Sequence, residues 1–381
     1  MTINMETRQL PVLLLTGYLG SGKTTLLNRI LANRKGIRFA VIVNDIGEVN
    51  IDAGLIQKGG VVGQGDDSLV ALQNGCICCT LKMDLVAQIA DLAATKAFDY
   101  IVIEASGICE PAPIANTIST MPSFGVQYTR GAVPYVDCIV TVVDALRMKD
   151  EFAGGDALGK EDIDDDDLER LLIEQIEFCN IVLLNKASEI TPDELGRLRA
   201  IVKGINPGAK VLQCDYGDID LDEIIYTGMF DFDTVATSAA WISAIEGEDE
   251  EEEEPEGEAL EYGIDTYVYY SREPLDLNKF DNFIFKHWPS NIIRAKGICY
   301  FASEPDQCYL FEQAGRQKTV RDAGLWYATM DEYELRQQME RDPQLRRDWD
   351  PVYGDRMQKI VFIGQHLDKE GIKKLMDACK I

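Results

Sequence analysis

The chain has 381 residues, 46% of them hydrophobic, and a formal net charge of −28 from 65 acidic and 37 basic residues. That length exceeds what one hydrophobic core usually supports, so two domains are expected, and the acidic excess repels a phosphate backbone, which argues against DNA or RNA as partners. No apolar run approaches the ~20 residues of a membrane-spanning helix, and the N-terminal segment has no cationic stretch before its apolar run, so a cytoplasmic protein with no membrane partner is expected.

The first apolar run, PVLLLT, leads into Gly17-Tyr18-Leu19-Gly20-Ser21-Gly22-Lys23-Thr24, which is followed by the helix-like LLNRILANR. This matches the phosphate-binding pattern G-x-x-x-x-G-K-[ST], with a strand before it and a helix after it as that loop requires. Gly17, Gly20 and Gly22 let successive backbone amides turn toward one anion, and the helix N-terminus adds a positive dipole. The expected cradle runs from Gly17 to Thr25 and includes Ser21. Lys23 is expected to reach the β- and γ-phosphates, and the Thr24 hydroxyl to bind Mg²⁺. A chance glycine-rich turn is the bland alternative, which the flanking strand and helix disfavour.

RFAVIVN reads as a second strand, and the segment Asn44-Asp45-Ile46-Gly47-Glu48-Val49-Asn50-Ile51-Asp52 follows where a nucleotide-sensing loop is expected. After the strand-like SLVALQN come Cys76, Cys78 and Cys79, just before the helix-like LKMDLVAQIADLAA, for which Thr80 is a candidate N-cap. The helix dipole favours thiolates, the form that binds soft or borderline metals. Closed structural zinc sites normally use four protein ligands, so three thiols that borrow an oxygen from Glu48, or else Asp45, suit a metal that is released again. Small buried thiols or a redox-active pair is the alternative reading. The remaining cysteines, such as Cys138, Cys179 and Cys299, sit singly in apolar stretches and read as reduced core residues.

DYIVIEA is a strand closed by Glu104, a carboxylate placed to face Mg²⁺ through water, and Gly107 beyond it is expected to offer its amide to the γ-phosphate. Cys109 reads as a plain loop cysteine. YVDCIVTVVDA, NIVLLNK and KVLQC complete a series of apolar runs alternating with amphipathic segments, which predicts an α/β domain with a mainly parallel sheet. After NIVLLNK, the segment Asn185-Lys186-Ala187-Ser188 resembles the guanine-reading N-K-x-D motif. The Asp of that motif accepts hydrogen bonds from guanine N1 and the exocyclic amine. Here Ser188 replaces it, and a hydroxyl is a weaker, neutral acceptor, so either guanine preference is reduced or Glu189 takes over. GTP is the expected nucleotide.

Two acidic runs, Glu161 to Glu169 and Glu246 to Glu261, carry charge repulsion that disfavours compact structure, and the second reads as a linker. The expected domains are 1–235, an acidic linker over 236–262, and 263–381. In the last of these, TYVYYSREPLD, RAKGICYFAS, QCYLFEQAG and QKIVFIGQHLD read as strands, with helices over 277–288 and after Lys369, predicting a small α+β domain with antiparallel pairing.

With GYLGSGKTTLLN, the NDIGEVNID loop, GCICC, EASG and NKAS, the first domain resembles the CobW-type GTPases, relatives of the hydrogenase and urease metallochaperone GTPases. Trp288-Pro289, Arg294-Ala295-Lys296-Gly297 and FIGQHLD are similar to that family's C-terminal domain. The resemblance implies a GTPase that uses Mg²⁺, hydrolyses GTP slowly through Lys23 and Glu104, binds Zn²⁺ or a similar metal at its C-x-C-C motif and delivers it to a client metalloprotein. A nucleotide- or metal-dependent dimer is compatible with it. The chain departs from the family in having Asn44-Asp45 for the usual N-E, and an acidic run instead of a histidine-rich tract, with only His287 and His366 in the whole chain. Two other functions compete: a P-loop kinase for a small molecule, which lacks an arginine-rich lid here, and a non-catalytic switch reporting nucleotide or metal status.

Overall fold

Apolar runs without polar alternation fit strands covered on both faces, and the seven runs of the N-terminal half form one sheet: β1 Gln9–Thr16, β2 Phe39–Asn44, β3 Leu69–Leu72, β4 Tyr100–Glu104, β5 Val133–Asp144, β6 Ile181–Asn185 and β7 Lys210–Gln213. The computed structural model describes residues 8–32, 36–44, 69–72, 82–129, 131–152, 163–237, 262–315, 317–347 and 349–381. Met1–Glu151 with Leu171–Ala239 form one compact unit, and Phe152–Arg170 with Ala240–Ile381 form another.

The strand order of the first unit is β3-β2-β4-β1-β5-β6-β7, and every neighbouring pair is parallel. Among the described residues, the connections carry α1 Lys23–Leu31, α2 Lys82–Thr95, α3 Pro111–Thr120, α4 Ala145–Phe152, α5 Ile163–Glu177, which joins this unit from Leu171 onward, and α6 Pro192–Ile205, with α7 Phe232–Thr237 after β7. Leu13, Leu15, Val41, Val102, Val140, Val142 and Leu183 are wholly buried beneath α1 and its neighbours. Truncating one such side chain to Ala costs about 2–5 kcal/mol. β1 lies between β4 and β5 at the point where the chain stops building one side of the sheet and starts the other. In open parallel sheets that reversal leaves a crevice at the carboxyl ends of the strands.

Two local details show why the elements start where they do. Thr191 opens α6 with a capping box, its hydroxyl accepting from the Glu194 amide while the Glu194 carboxylate accepts from the Thr191 amide over 2.8 Å. Of the acidic run Glu161 to Glu169, expected to resist compaction, the part from Ile163 onward is helical and begins α5. Leu172, Ile173 and Ile176 further along anchor it at 0% exposure. The Glu246 to Glu261 run lies outside the described residues.

Cys138, Cys179 and Cys299 are free and buried, as their apolar settings suggest. Burial pushes all three thiols up, Cys179 to about 12, which keeps them protonated and inert.

The second unit holds an antiparallel sheet of order β11-β10-β9-β12-β8, built from β8 Ile264–Ser271, β9 Ile292–Phe301, β10 Glu304–Ala314, β11 Gln317–Leu325 and β12 Gln358–Gln365. α8 Leu277–Lys286 and α11 Lys369–Asp377 cover one face, burying Phe280, Phe283, Phe301, Phe311, Phe362 and Met376. Trp288 packs against Phe283 and Phe311 at ring separations of 5.3 and 5.7 Å, which anchors the His287-Trp288-Pro289 turn by ring packing. α9 Glu332–Arg341, α10 Pro343–Arg347 and β11 have no clear sequence signature. β11 is an edge strand exposed over most of its length, so no buried face imposes alternation on it. No helix among the described residues is long and apolar enough to cross a membrane.

Candidate functional site

The loop after β1 turns sharply enough to close on itself. Gly17, Gly20 and Gly22 all have positive φ, and Gly22, at φ 109°, occupies the N-cap of α1 where a side chain would be strained. A Cβ there would also lie 2.2 Å from Asn185 Nδ2. Lys23 is 7% exposed, and its ammonium donates to the carbonyls of Gly17 and Tyr18 over 2.8 and 3.1 Å, placing the cation inside the loop. The Ser21 hydroxyl oxygen is buried without a hydrogen-bond partner among the described residues. Thr25, at the same turn, is exposed. Three positive-φ glycines beside a buried cation and an orphaned hydroxyl fit a loop that holds a phosphate chain.

β4 brings the second component. Its last residue, Glu104, is 1% exposed, and the Thr24 hydroxyl donates to its Oε1 over 2.8 Å. Two hard oxygen donors side by side match what Mg²⁺ prefers. The loop beyond β4 passes against the phosphate loop so closely that a Cβ on Gly107 would lie 2.7 Å from the Leu19 amide nitrogen, a gap that only glycine tolerates.

β5 and β6 supply the far wall. Asp144 ends β5, and both its amide and its carbonyl meet the buried Tyr18 hydroxyl, at 3.1 and 2.9 Å. The Asp144 carboxylate pairs with the Lys186 ammonium, while the Arg147 guanidinium lies 5.0 Å from the centre of the Tyr18 ring. Asn185, 2% exposed, donates to the Ser21 carbonyl over 2.8 Å and accepts from the Gly217 amide over 3.1 Å. Lys186, at φ 59°, turns the chain into the short helical turn Ala187–Glu189.

The sequence-derived residues Gly17, Gly20, Ser21, Gly22, Lys23, Thr24, Thr25, Glu104, Gly107, Asn185, Lys186 and Ser188 therefore lie along the carboxyl ends of β1, β4 and β6. Asp45, Glu48, Cys76, Cys78 and Cys79 lie outside the described residues. Sequence reasoning missed Tyr18, Asp144 and Asp215. The Asp215 carboxylate accepts from both the amide and the hydroxyl of Ser188, at 3.0 and 2.9 Å, while Glu189, the stand-in that the sequence offers, is exposed. A signal did exist, since Asp144 closes an apolar strand as Glu104 does and Asp215 stands just beyond one.

Residues 11–213 match the CobW/HypB/UreG nucleotide-binding domain, and residues 264–380 match the cobalamin synthesis protein cobW C-terminal domain. The chain is 35% identical over 370 residues to zinc-regulated GTPase metalloprotein activator 1 of Dictyostelium discoideum, a match spanning 93% of this chain and 76% of that protein. It is 32% identical over 233 residues to zinc chaperone CobW of Pseudomonas aeruginosa, spanning 57% of this chain and 60% of the other. Among solved structures, the Zn(II)-bound YjiA GTPase from E. coli aligns over 98% of this chain and 100% of its own at 22% identity, with a TM-score of 0.44.

Proposed function

Since the chain belongs to the CobW/HypB/UreG family of nucleotide-binding proteins, we propose that it is a GTPase that binds Zn²⁺ and hands it to a client metalloprotein under nucleotide control. The observation that carries this reading is the Thr24–Glu104 hydrogen bond of 2.8 Å at the mouth of the glycine loop. It sets a hydroxyl and a carboxylate beside the place where a β,γ-phosphate bridge lies when the loop is filled.

In this reading the amides from Gly17 to Thr25 hold the phosphate chain, and Lys23 neutralises charge at the β- and γ-phosphates. Thr24 and Glu104 are the residues that would hold Mg²⁺, which would offset the charge that develops on the phosphate oxygens. The Gly107 amide meets the γ-phosphate. Asn185 and Lys186 fix the base side of the site to the phosphate side, so nucleotide binding stiffens the loop and strand ends together. The buried surroundings of Glu104 exclude bulk water from that side of the crevice.

Cys76, Cys78 and Cys79 are the proposed thiolate donors to the cargo Zn²⁺, with Glu48 or Asp45 as the oxygen donor. The chain links them to the nucleotide site, because β2 lies beside β4 in the sheet with β3 beyond it, and the segment after β2 carries Asp45 and Glu48. A loop that responds to the γ-phosphate then also changes the metal site, which couples hydrolysis to release.

Coupling of this kind is reciprocal. Isothermal titration of Zn²⁺ with and without a non-hydrolysable GTP analogue should show altered Zn²⁺ affinity, and titration of the analogue with and without Zn²⁺ should show the same factor. Two independent affinities would sink the proposal.

A further inference from the structure

The base-reading end of the site departs from its motif in a way that the fold repairs. A guanine-reading carboxylate must offer acceptors to two donors on the base edge, N1–H and the exocyclic amine. Ser188 has one neutral oxygen, and its proton is already donated to Asp215 Oδ1 over 2.9 Å. That same Oδ1 accepts the Ser188 amide over 3.0 Å, so the carboxylate is held in place from two directions. None of the described residues donates to Oδ2 of Asp215.

The segment carrying Asp215 is pinned against the segment carrying Ser188. The Ala187 amide donates to the Cys214 carbonyl over 3.1 Å, and the Gly217 amide and Cys214 thiol both donate to Asn185 Oδ1, over 3.1 and 3.3 Å. On its other side, the Tyr216 carbonyl accepts from Arg29 Nε over 2.7 Å, which ties the segment to the helix that opens at the phosphate loop. Asp215 is thus fixed relative to the phosphate cradle. Its Cα lies one strand over from the position where the motif carries its own acid, since β6 and β7 are neighbours.

We propose that Asp215 is the specificity-determining acid of this nucleotide site. Ser188 acts as a positioning residue whose backbone amide, kept when its side chain is replaced, presents the carboxylate to guanine. The inference rests on the GTPase reading above. A carboxylate accepts from the guanine N1–H and amine, whereas adenine offers no matching donor pair, so a charge-assisted acceptor here selects GTP over ATP.

The test uses the full-length chain and equilibrium binding of GTP, ITP, XTP and ATP in Mg²⁺ buffer. ITP lacks the exocyclic amine, and XTP replaces it with a carbonyl. Asp215→Asn should weaken GTP binding about tenfold to hundredfold, the loss typical of a hydrogen bond to a charged group. It should weaken ITP less, and tighten XTP, because the new amide donates to the xanthine carbonyl. Unchanged ratios among the four nucleotides in Asp215→Asn, a uniform loss across all four included, would overturn the proposal and leave Asp215 a purely structural cap. A wild-type chain without GTP preference over ATP would instead overturn the GTPase reading. If Asp215→Asn does not fold, Ser188→Ala decides. The GTP-over-ITP ratio persists within about threefold if Asp215 reads the base, and falls toward one if the hydroxyl does.

Discussion

The side-chain amide of Asn185 donates to the Ser21 carbonyl over 2.8 Å, joining the end of β6 to the phosphate loop across 164 positions of sequence. Its oxygen meanwhile accepts from the Gly217 amide and the Cys214 thiol. One side-chain amide thereby clamps the end of β6 to two other segments, and a carboxylate of similar shape could not replace it because the Ser21 carbonyl requires a donor.

Asn185→Ala leaves the Ser21 carbonyl and the Gly217 amide without their buried partner. The expected cost is about 1–3 kcal/mol of unfolding free energy, read as a lower urea midpoint with unchanged slope. Nucleotide affinity should fall as well, and saturating GTP should recover part of the lost stability.

Glu104→Gln keeps an oxygen to accept from Thr24 but removes the charge. The slope of GTP turnover against Mg²⁺ concentration should shift to higher Mg²⁺, with turnover at saturation lowered by about tenfold or more. Binding of GTP measured with EDTA present should change little. Unaltered Mg²⁺ dependence would remove Glu104 from the magnesium side of the site.

Gly22→Ala forces a Cβ to within 2.2 Å of Asn185 Nδ2 at a residue whose φ is 109°. The left-handed backbone alone costs about 1–2 kcal/mol, and relief of the clash requires Asn185 to leave Ser21. Loss of nucleotide binding is expected to exceed the loss of thermal stability. The pair is checked by titration and melting of the same sample.

Arg38 and Asp99 meet at the opposite ends of β2 and β4 from the site, at 2.6 Å. The Arg38 side chain's hydrogen bonds hold the Asp99 carboxyl below the usual carboxylate range. A depressed folded-state value adds stability above the unfolded pKa, about 3.9, and that contribution is lost as pH falls through the folded value. Urea midpoints from pH 6 down to pH 3 should therefore converge for wild type and Asp99→Asn at the acid end, with wild type higher above about pH 4.

Much of the first unit was legible in the sequence because its strands are doubly covered. Runs such as VLLL and, ahead of Glu104, YIVI carry no charged position, and their spacing by amphipathic segments leaves a parallel sheet as the economical arrangement. The phosphate loop was legible for a related reason, since its glycines, Lys23 and Thr24 act within one turn of chain. β11 was not legible, because an exposed edge strand is held by its ladder to β10 and carries no buried face to mark it.

The sequence by itself determined which runs form strands and where the phosphate cradle lies, both of which depend on contacts between near neighbours in the chain. Only the tertiary structure decided which of the groups at the strand ends meet. Thr24 and Glu104 are 80 residues apart, and Ser188 and Asp215 are 27 apart. Their meeting depends on the strand order, which places β4 beside β1 and β7 beside β6. Hydrogen bonds act over about 3 Å, so a pattern in one dimension names the partners' chemistry but not their pairing.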